Sequence, residues 1–380
     1  MAGLQYKYVV RKYSVAGQSG TVTFDLPEKG FIPEIIVRAF STPTASTNPA
    51  LPLNDAITKI EIVDGSKVIK SLSGNQIRAL QMIWDRKELT LTDTDANGTE
   101  GYGDFKIILG AMINGKKYAP DFSKFSNPQI KISWDYSQTD VKGATYDADT
   151  DPAMKFTVIT LIDRENVSGF THGYIKSSVI KTITQSPSTT HVVEIPRGDP
   201  LLGIGIEAGY NGLDWTEDVE VVKLDFDNGA WIPFELYEEE IPTIMDVWFD
   251  GPFEVNFTKD LKDSVDVDLH MGYVKTAHFM TTSGAGRSAE WANGTQGIGS
   301  FTLFDVATPT AIAAYEQVGV YARGYIPFNV WYVPMRAILG NGHDTVDTTK
   351  YGRIELSFTS GASANTSSRP EVIAEYLIVR

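Results

Sequence analysis

The residues with the clearest chemical meaning are carboxylates set along short polar stretches. Asp93, Asp95, Asn97, Gly98 and Asp104 fall at positions 1, 3, 5, 6 and 12 of a calcium loop, which places side-chain oxygens where a hard cation takes them. Against that reading, Glu100 stands at position 8, where such loops carry an apolar residue, and Asp replaces Glu at position 12. No long helix pair is predicted on either side. A calcium site and a polar, turn-rich connector both remain open for this stretch, and Asp147, Asp149 and Asp151 pose a weaker version of the same choice. The five histidines, His172, His191, His270, His278 and His343, form no i, i+4 metal pair and accompany no nucleophile motif. Each is read as solvated or satisfied by its neighbours. Gly203, Gly205 and Gly209 match a dinucleotide pattern in spacing only, within a predicted strand rather than at a helix start. The chain has no Cys, which removes disulfides, thiolate metal sites and a cysteine nucleophile. Its 48 acidic residues leave room for a glycosidase-like pair, but a run such as Glu238 to Glu240 is better explained by a helix start. No residue is assigned as catalytic, cofactor-binding or metal-ligating.

The elements that position these residues occur twice. Ile57 to Asp85, moved along the chain without a gap, falls on Val221 to Phe249. The identical positions are Lys59/Lys223, Gly65/Gly229, Leu72/Leu236, Ile77/Ile241 and Trp84/Trp248. Each copy opens with an alternating strand, Ile60 and Ile62 in one and Leu224 and Phe226 in the other. A two-residue turn of type I′ is predicted at Asp64-Gly65 and at Asn228-Gly229. A return strand ends at Leu72 or Leu236, and a short helix follows. Ile77, Leu80 and Trp84, then Ile241, Ile244 and Trp248, give each helix one apolar face. Ser73 and Gln76 form a capping box in the first copy, and Pro242 suits the first turn of the second.

The repetition continues to both sides. Strands are predicted at 6–15, 20–26 and 33–40, and their counterparts at 173–185, 190–195 and 201–208. Ile35, Val37 and Ala39 match Ile204, Ile206 and Ala208. Residues 41–56 form a polar, Pro-bearing loop without periodicity. A sixth strand at 105–109 pairs in sequence with 328–332, a seventh at 130–134 with 354–358, and an eighth at 153–164 with 370–380. Eight short strands in each copy, at this size, have the dimensions of a jelly roll: two Greek keys folded as facing antiparallel sheets. The fold class is therefore all-β, two tandem eight-stranded jelly rolls, each with a short helix between its fifth and sixth strands. The predicted domains are 1–165 and 166–380.

The copies differ between the helix and the sixth strand, where the second carries about 60 extra residues. This insertion, at about 255–320, holds apolar alternation at Val265, Val267, Leu269, Met271 and Tyr273, a Gly/Ser/Thr-rich span from Thr281 to Gly299, and a predicted short helix from Pro309 to Gln317. A projecting tower is expected. The 380 residues include 17 Tyr, 18 Phe and 7 Trp, a strand-favouring composition. The net charge of −15 opposes direct nucleic-acid binding and favours solubility. The opening MAGLQYKYVVRKYSV has no apolar core of a secretion signal, so assembly in a cytoplasm is expected. Lys7, Arg11 and Lys12 precede the first acid, Asp25, and are read either as exposed strand positions or as contacts to anionic lipid.

Two tandem jelly rolls, each with a helix after its fifth strand, and a long insertion in the second resemble the double jelly-roll major capsid proteins of tailless icosahedral viruses, many with an internal membrane. The resemblance spans 6–163 and 173–380. It implies a structural subunit, not an enzyme, that trimerises into pseudo-hexagonal capsomers with no cofactor. It implies contacts with neighbouring capsomers, penton and minor capsid proteins, and a place in the virion after assembly in the host cytoplasm. Neither end reads as the amphipathic helix that some members send to the membrane, so contact with an internal membrane would fall to the bases of the rolls and the basic first strand. Two other classes stand beside this one. A two-jelly-roll glycan hydrolase would need paired acids in the groove between rolls. A carbohydrate-binding adhesin or spike would need a ladder of exposed aromatics, for which Trp291 and Tyr315 are the candidates.

Overall fold

The computed structural model describes residues 3–42, 52–89, 91–94, 100–137, 140–141, 144–145, 153–208, 215–261, 266–281, 287–292, 298–305, 316–340, 343–364 and 369–379. Eight strands form the first roll: β1 (Gln5–Val15), β2 (Ser19–Asp25), β3 (Phe31–Thr42), β4 (Lys59–Asp64), β5 (Lys67–Leu72), β6 (Gly101–Ile108), β7 (Pro128–Asp135) and β8 (Ala153–Asp163). Helix α1 (Gly74–Asp85) follows β5. The second roll repeats the plan with β9 (Tyr174–Thr182), β10 (Thr190–Glu194), β11 (Leu201–Glu207), β12 (Val221–Phe226), β13 (Trp231–Tyr237), helix α2 (Ile241–Phe249), β14 (Val330–Pro334), β15 (Ile354–Thr359) and β16 (Glu371–Ile378).

The strand orders are those of two jelly rolls. The first roll stacks β1-β8-β3-β6 on β2-β7-β4-β5, and the second stacks β9-β16-β11-β14 on β10-β15-β12-β13. The cause is visible along single strands. In β7 buried and half-buried residues alternate over all eight positions, and β12 and β15 alternate likewise, so one face of each closes on the core. By contrast, β11 is buried on both faces.

The rolls are joined edge to edge. β5 pairs in parallel with β9, so β2-β7-β4-β5-β9-β16-β11-β14 is one eight-stranded sheet. A short strand, Leu91–Thr94, extends the other sheet of the first roll past β6 and pairs in parallel with Phe253–Leu261 of the insertion. The core is correspondingly continuous from Leu26 to Ile378.

Several local expectations need correction. The first hairpin turn is Gly65-Ser66, because Asp64 already pairs with Lys67, and only Gly65 of the two has positive φ. The second is a four-residue loop, with Asp227, Asn228 and Gly229 all at positive φ between Phe226 and Trp231. Neither is the two-residue type I′ turn. With β3 and β11 aligned, Val37 faces Phe105 and Ile206 faces Trp331, so Phe105 corresponds to Trp331. Phe328 and Asn329 lie in a turn at positive φ just before β14. The same alignment sets β8 and β16 two residues off the sequence match, because Arg38 faces Thr157 and Glu207 faces Glu371.

The loop at 41–56 contains a short helical turn, Leu53–Ala56, and the second copy has its equivalent, Trp215–Asp218. In the insertion, strands run at 253–261, 266–272, 276–281, 287–292, 298–305 and 316–324. Leu269, Met271 and Tyr273 are buried as their alternation predicts. Glu316 and Gln317, expected to end a helix, belong to a strand, and the rest of that predicted helix lies outside the described residues.

Candidate functional site

The two rolls meet on α1. The helix packs against β6 of its own roll and against β14 of the other. Its entry is the predicted capping box: Ser73 Oγ accepts from the Gln76 amide at 3.2 Å, and Gln76 Oε1 accepts from the Ser73 amide at 3.0 Å. Arg86 closes the helix in the left-handed conformation, and Asp250 closes α2 in the same way, one repeat later. Every residue from Gly74 to Ile83 is buried, including Gln76, Arg78 and Gln81. Polar side chains at such positions require partners, and those of Gln76 lie across the junction, on the second roll.

Glu375 on β16 is the centre of the first cluster and has no exposed surface. Its Oε2 accepts from Tyr332 Oη at 2.7 Å and from Trp84 Nε1 at 3.0 Å, and its Oε1 accepts from Ser177 Oγ. Lys70 of the first roll places its Nζ 3.8 Å from Oε1 and donates to the Ile108 carbonyl at 2.7 Å. Burial lowers the Lys70 pKa, and the Glu375 charge opposes that shift. Burial, and then the same charge, raise the Tyr332 pKa well above its ordinary value. Gly203 and Gly205 line the path of the Tyr332 ring; a Cβ at Gly203 would lie 1.9 Å from Tyr332 Oη. Of the spacing that resembled a dinucleotide motif, Gly203 and Gly205 are thus clearance for this tyrosine, and Gly209 lies outside the described residues.

A second cluster forms at the start of the helix. Gln76 Nε2 donates to Glu207 Oε2 and to Glu371 Oε2, each at 2.6 Å. Arg78 donates to the Asp104 carbonyl, to Glu88 and to the Leu89 carbonyl, and its guanidinium lies 5.0 Å from the centre of the Phe328 ring. At the helix end Arg86 stacks 4.3 Å from the Phe253 ring and donates to the Gly251 carbonyl at 3.0 Å. Glu375, with both oxygens accepting from buried donors, has nothing to offer a substrate. The arrangement is a polar lock between rolls.

Beside it, along the second parallel seam, lies a cleft of about 760 Å³ lined by Arg86, Glu88, Leu91, Phe257, His278 and Tyr321 among others. This is where a hydrolase would carry its paired acids. Glu88 is bonded by Arg78 and by the Asn256 amide, and Glu254 lies 3.0 Å from Arg323.

Of the candidate calcium ligands, Asp104 sits on β6 and binds Arg38 through both oxygens, each at 2.6 Å. Asp93 belongs to the strand Leu91–Thr94, and Asp95, Asn97 and Gly98 lie outside the described residues, as do Asp147, Asp149 and Asp151. Among the described residues no group of three His, Asp or Glu side chains is placed to hold a metal. His172 accepts from the Asp121 amide at 3.0 Å, and burial lowers its pKa. His191 packs 5.3 Å from the Phe358 ring, and His278 stacks on Tyr321 at 6.0 Å. Trp291 lies on the strand Arg287–Ala292, and Tyr315 is outside the described residues. Sequence reasoning missed Lys70, Gln76, Glu207, Tyr332, Glu371 and Glu375 as a group. Their one signal was polar residues at inward positions of otherwise apolar strands and, for Gln76, of the helix α1.

No family model matches this sequence, and no curated protein matches it either. Solved structures do match. The MCP of STIV, the Sulfolobus Turreted Icosahedral Virus, superposes with a TM-score of 0.60 at 10% identity, over 100% of this chain and 97% of that one. The major capsid protein P2 from bacteriophage PM2 gives 0.51 at 10% identity, over 99% and 98%. PBCV-1 VP54 gives 0.51 at 9% identity, over 99% and 94%. At these identities the likeness establishes the double jelly-roll fold over the whole chain.

Proposed function

We propose that this chain is a viral major capsid protein, a structural subunit whose three copies form a pseudo-hexagonal capsomer of an icosahedral shell. The observation that carries the reading is the end-to-end match of the chain to proteins described as MCP or major capsid protein. The domains are taken as 1–165 and 166–380, with 255–320 as the tower. A tandem pair of similar rolls suits this role, because three chains then present six similar units to a hexagonal lattice. Upright rolls also cover their strand edges with neighbours.

In this reading the protein is not an enzyme; its polar lock makes each chain one rigid tile. Its partners are further copies of itself, adjacent capsomers, and the penton and minor proteins of the same shell. Among the described residues no helix is long and apolar enough to cross a membrane. Contact with an internal membrane is assigned to the bases of the rolls. Negative-stain electron microscopy of the concentrated protein tests the proposal. Threefold particles with pseudo-hexagonal outline are expected, and isolated two-lobed monomers at every concentration would overturn it.

A further inference from the structure

We propose that β1 of a second copy docks in parallel on β13, and that this strand pair is the seam between chains. The inference rests on the self-assembly proposed above and specifies its contact. Within the chain, the open edge of the first roll, β5, is closed by the first strand of the second roll, β9, with Lys70 opposite Ser177 and Ser71 opposite Ser178. The equivalent edges, β13 of the second roll and β1 of the first, are terminal strands of their sheets among the described residues. One internal seam has therefore been used and its counterpart left open.

Strand registers say which residues would meet. The gapless repeat that sets Leu72 on Leu236 puts Phe234 and Glu235 where Lys70 and Ser71 stand. β1 and β9 carry the same bulge, at Tyr8/Val10 against β8 and at Val179/Lys181 against β16. Aligning the bulges, Tyr8 on Val179 and Val10 on Lys181, puts Tyr6 and Lys7 where Ser177 and Ser178 stand. The seam between chains thus sets Tyr6 opposite Phe234, and Lys7 opposite Glu235.

The two edges are complementary in composition. β1 carries Lys7, Arg11 and Lys12 and no acid, whereas β13 and the turn after it carry Glu235, Glu238, Glu239 and Glu240. Large apolar side chains stand exposed on both, Tyr6 and Tyr8 on β1, Ile232 and Tyr237 on β13. The helices agree. Val247 on α2 is 73% exposed, yet its counterpart on α1, Ile83, is 2% exposed. Because β1 and β13 of one chain are different surfaces, the contact is head-to-tail and closes only as a ring.

The test uses the absence of cysteine from this chain. Paired strands lie about 4.8 Å apart, within reach of a disulfide between facing residues. Under mild oxidation the full-length Lys7→Cys/Glu235→Cys variant should convert to a covalent trimer on a non-reducing gel, and reductant should reverse it. Neither single-cysteine variant should do so. Ser71→Cys/Ser178→Cys should cross-link only within the chain, as the internal seam requires. Separately, Lys7→Glu should weaken association at least tenfold, and adding Glu235→Lys should restore it. A variant that sediments as a trimer without forming the 7–235 bond would overturn this seam while leaving the capsid reading intact. A monomer from the wild-type chain would overturn both.

Discussion

Replacing Glu375 by Ala tests whether the polar lock holds the rolls together. The substitution removes the common acceptor of Ser177, Tyr332 and Trp84 and leaves Lys70 without its counter-charge. Removing one partner of a buried ion pair costs about 3–5 kcal/mol. The two fully buried donors, Ser177 and Tyr332, left without an acceptor would add about 1–3 kcal/mol each. One feature of the site limits the sum: Lys70 keeps its 2.7 Å bond to the Ile108 carbonyl. The expected cost is therefore about 3–5 kcal/mol in total, read from urea unfolding followed by circular dichroism. Lys70→Met combined with Glu375→Gln should cost less than the sum of the single changes, with a coupling of at least about 1 kcal/mol. A Glu375→Ala cost below about 1 kcal/mol, or strict additivity in the double variant, would mean that the cluster does not act as a lock.

The remaining expectations concern other parts of the fold. Because burial lowers the Lys70 pKa, the unfolded chain binds the extra proton between that value and the ordinary 10.5, so stability should rise with pH across this window; Lys70→Met should remove the slope in alkaline melts. Asp163 accepts from the Ser168 amide at 2.7 Å and the Val167 amide at 3.1 Å. Burial alone would raise its pKa, but these bonds outweigh it, so its contribution should be intact above 3.8 and lost as pH falls through the folded value, a loss that Asp163→Asn should flatten in acid titrations. Gly203→Ala should destabilise by about 1–3 kcal/mol, since its Cβ would collide with the Tyr332 ring; a melting curve like wild type would refute that packing. Because Asp104 already holds Arg38 through both oxygens, millimolar calcium should leave the melting temperature unchanged. A calcium-dependent rise abolished by Asp93→Asn would establish the site instead.

The duplication was legible in sequence because it is written in local physics. Alternating strands, the Ser73–Gln76 box and the helix positions of Trp84 and Trp248 each follow from short-range rules, and strand order follows from jelly-roll topology. What was lost lies in tertiary context. α1 and α2 share an apolar pattern, yet α1 is buried nearly all round because the second roll covers it. α2 buries Ile241, Met245 and Phe249 fully, while the predicted Ile244 and Trp248 are only half-buried against the same core. The turns were misread because Ser66 takes part in one loop and Asp227 and Asn228 both accept positive φ in the other. The polar lock was hidden for a different reason. Lys70 and Glu375 stand near opposite ends of the chain, and a charged residue on a strand looks solvated until its partner strand is known.

Sedimentation equilibrium of the intact, unmodified protein bears most directly on the assembly claim. A single species near three times 41.8 kDa, unchanged on dilution through the micromolar range, is expected of a closed ring of three double rolls. A species that stays at 41.8 kDa at every concentration would contradict it.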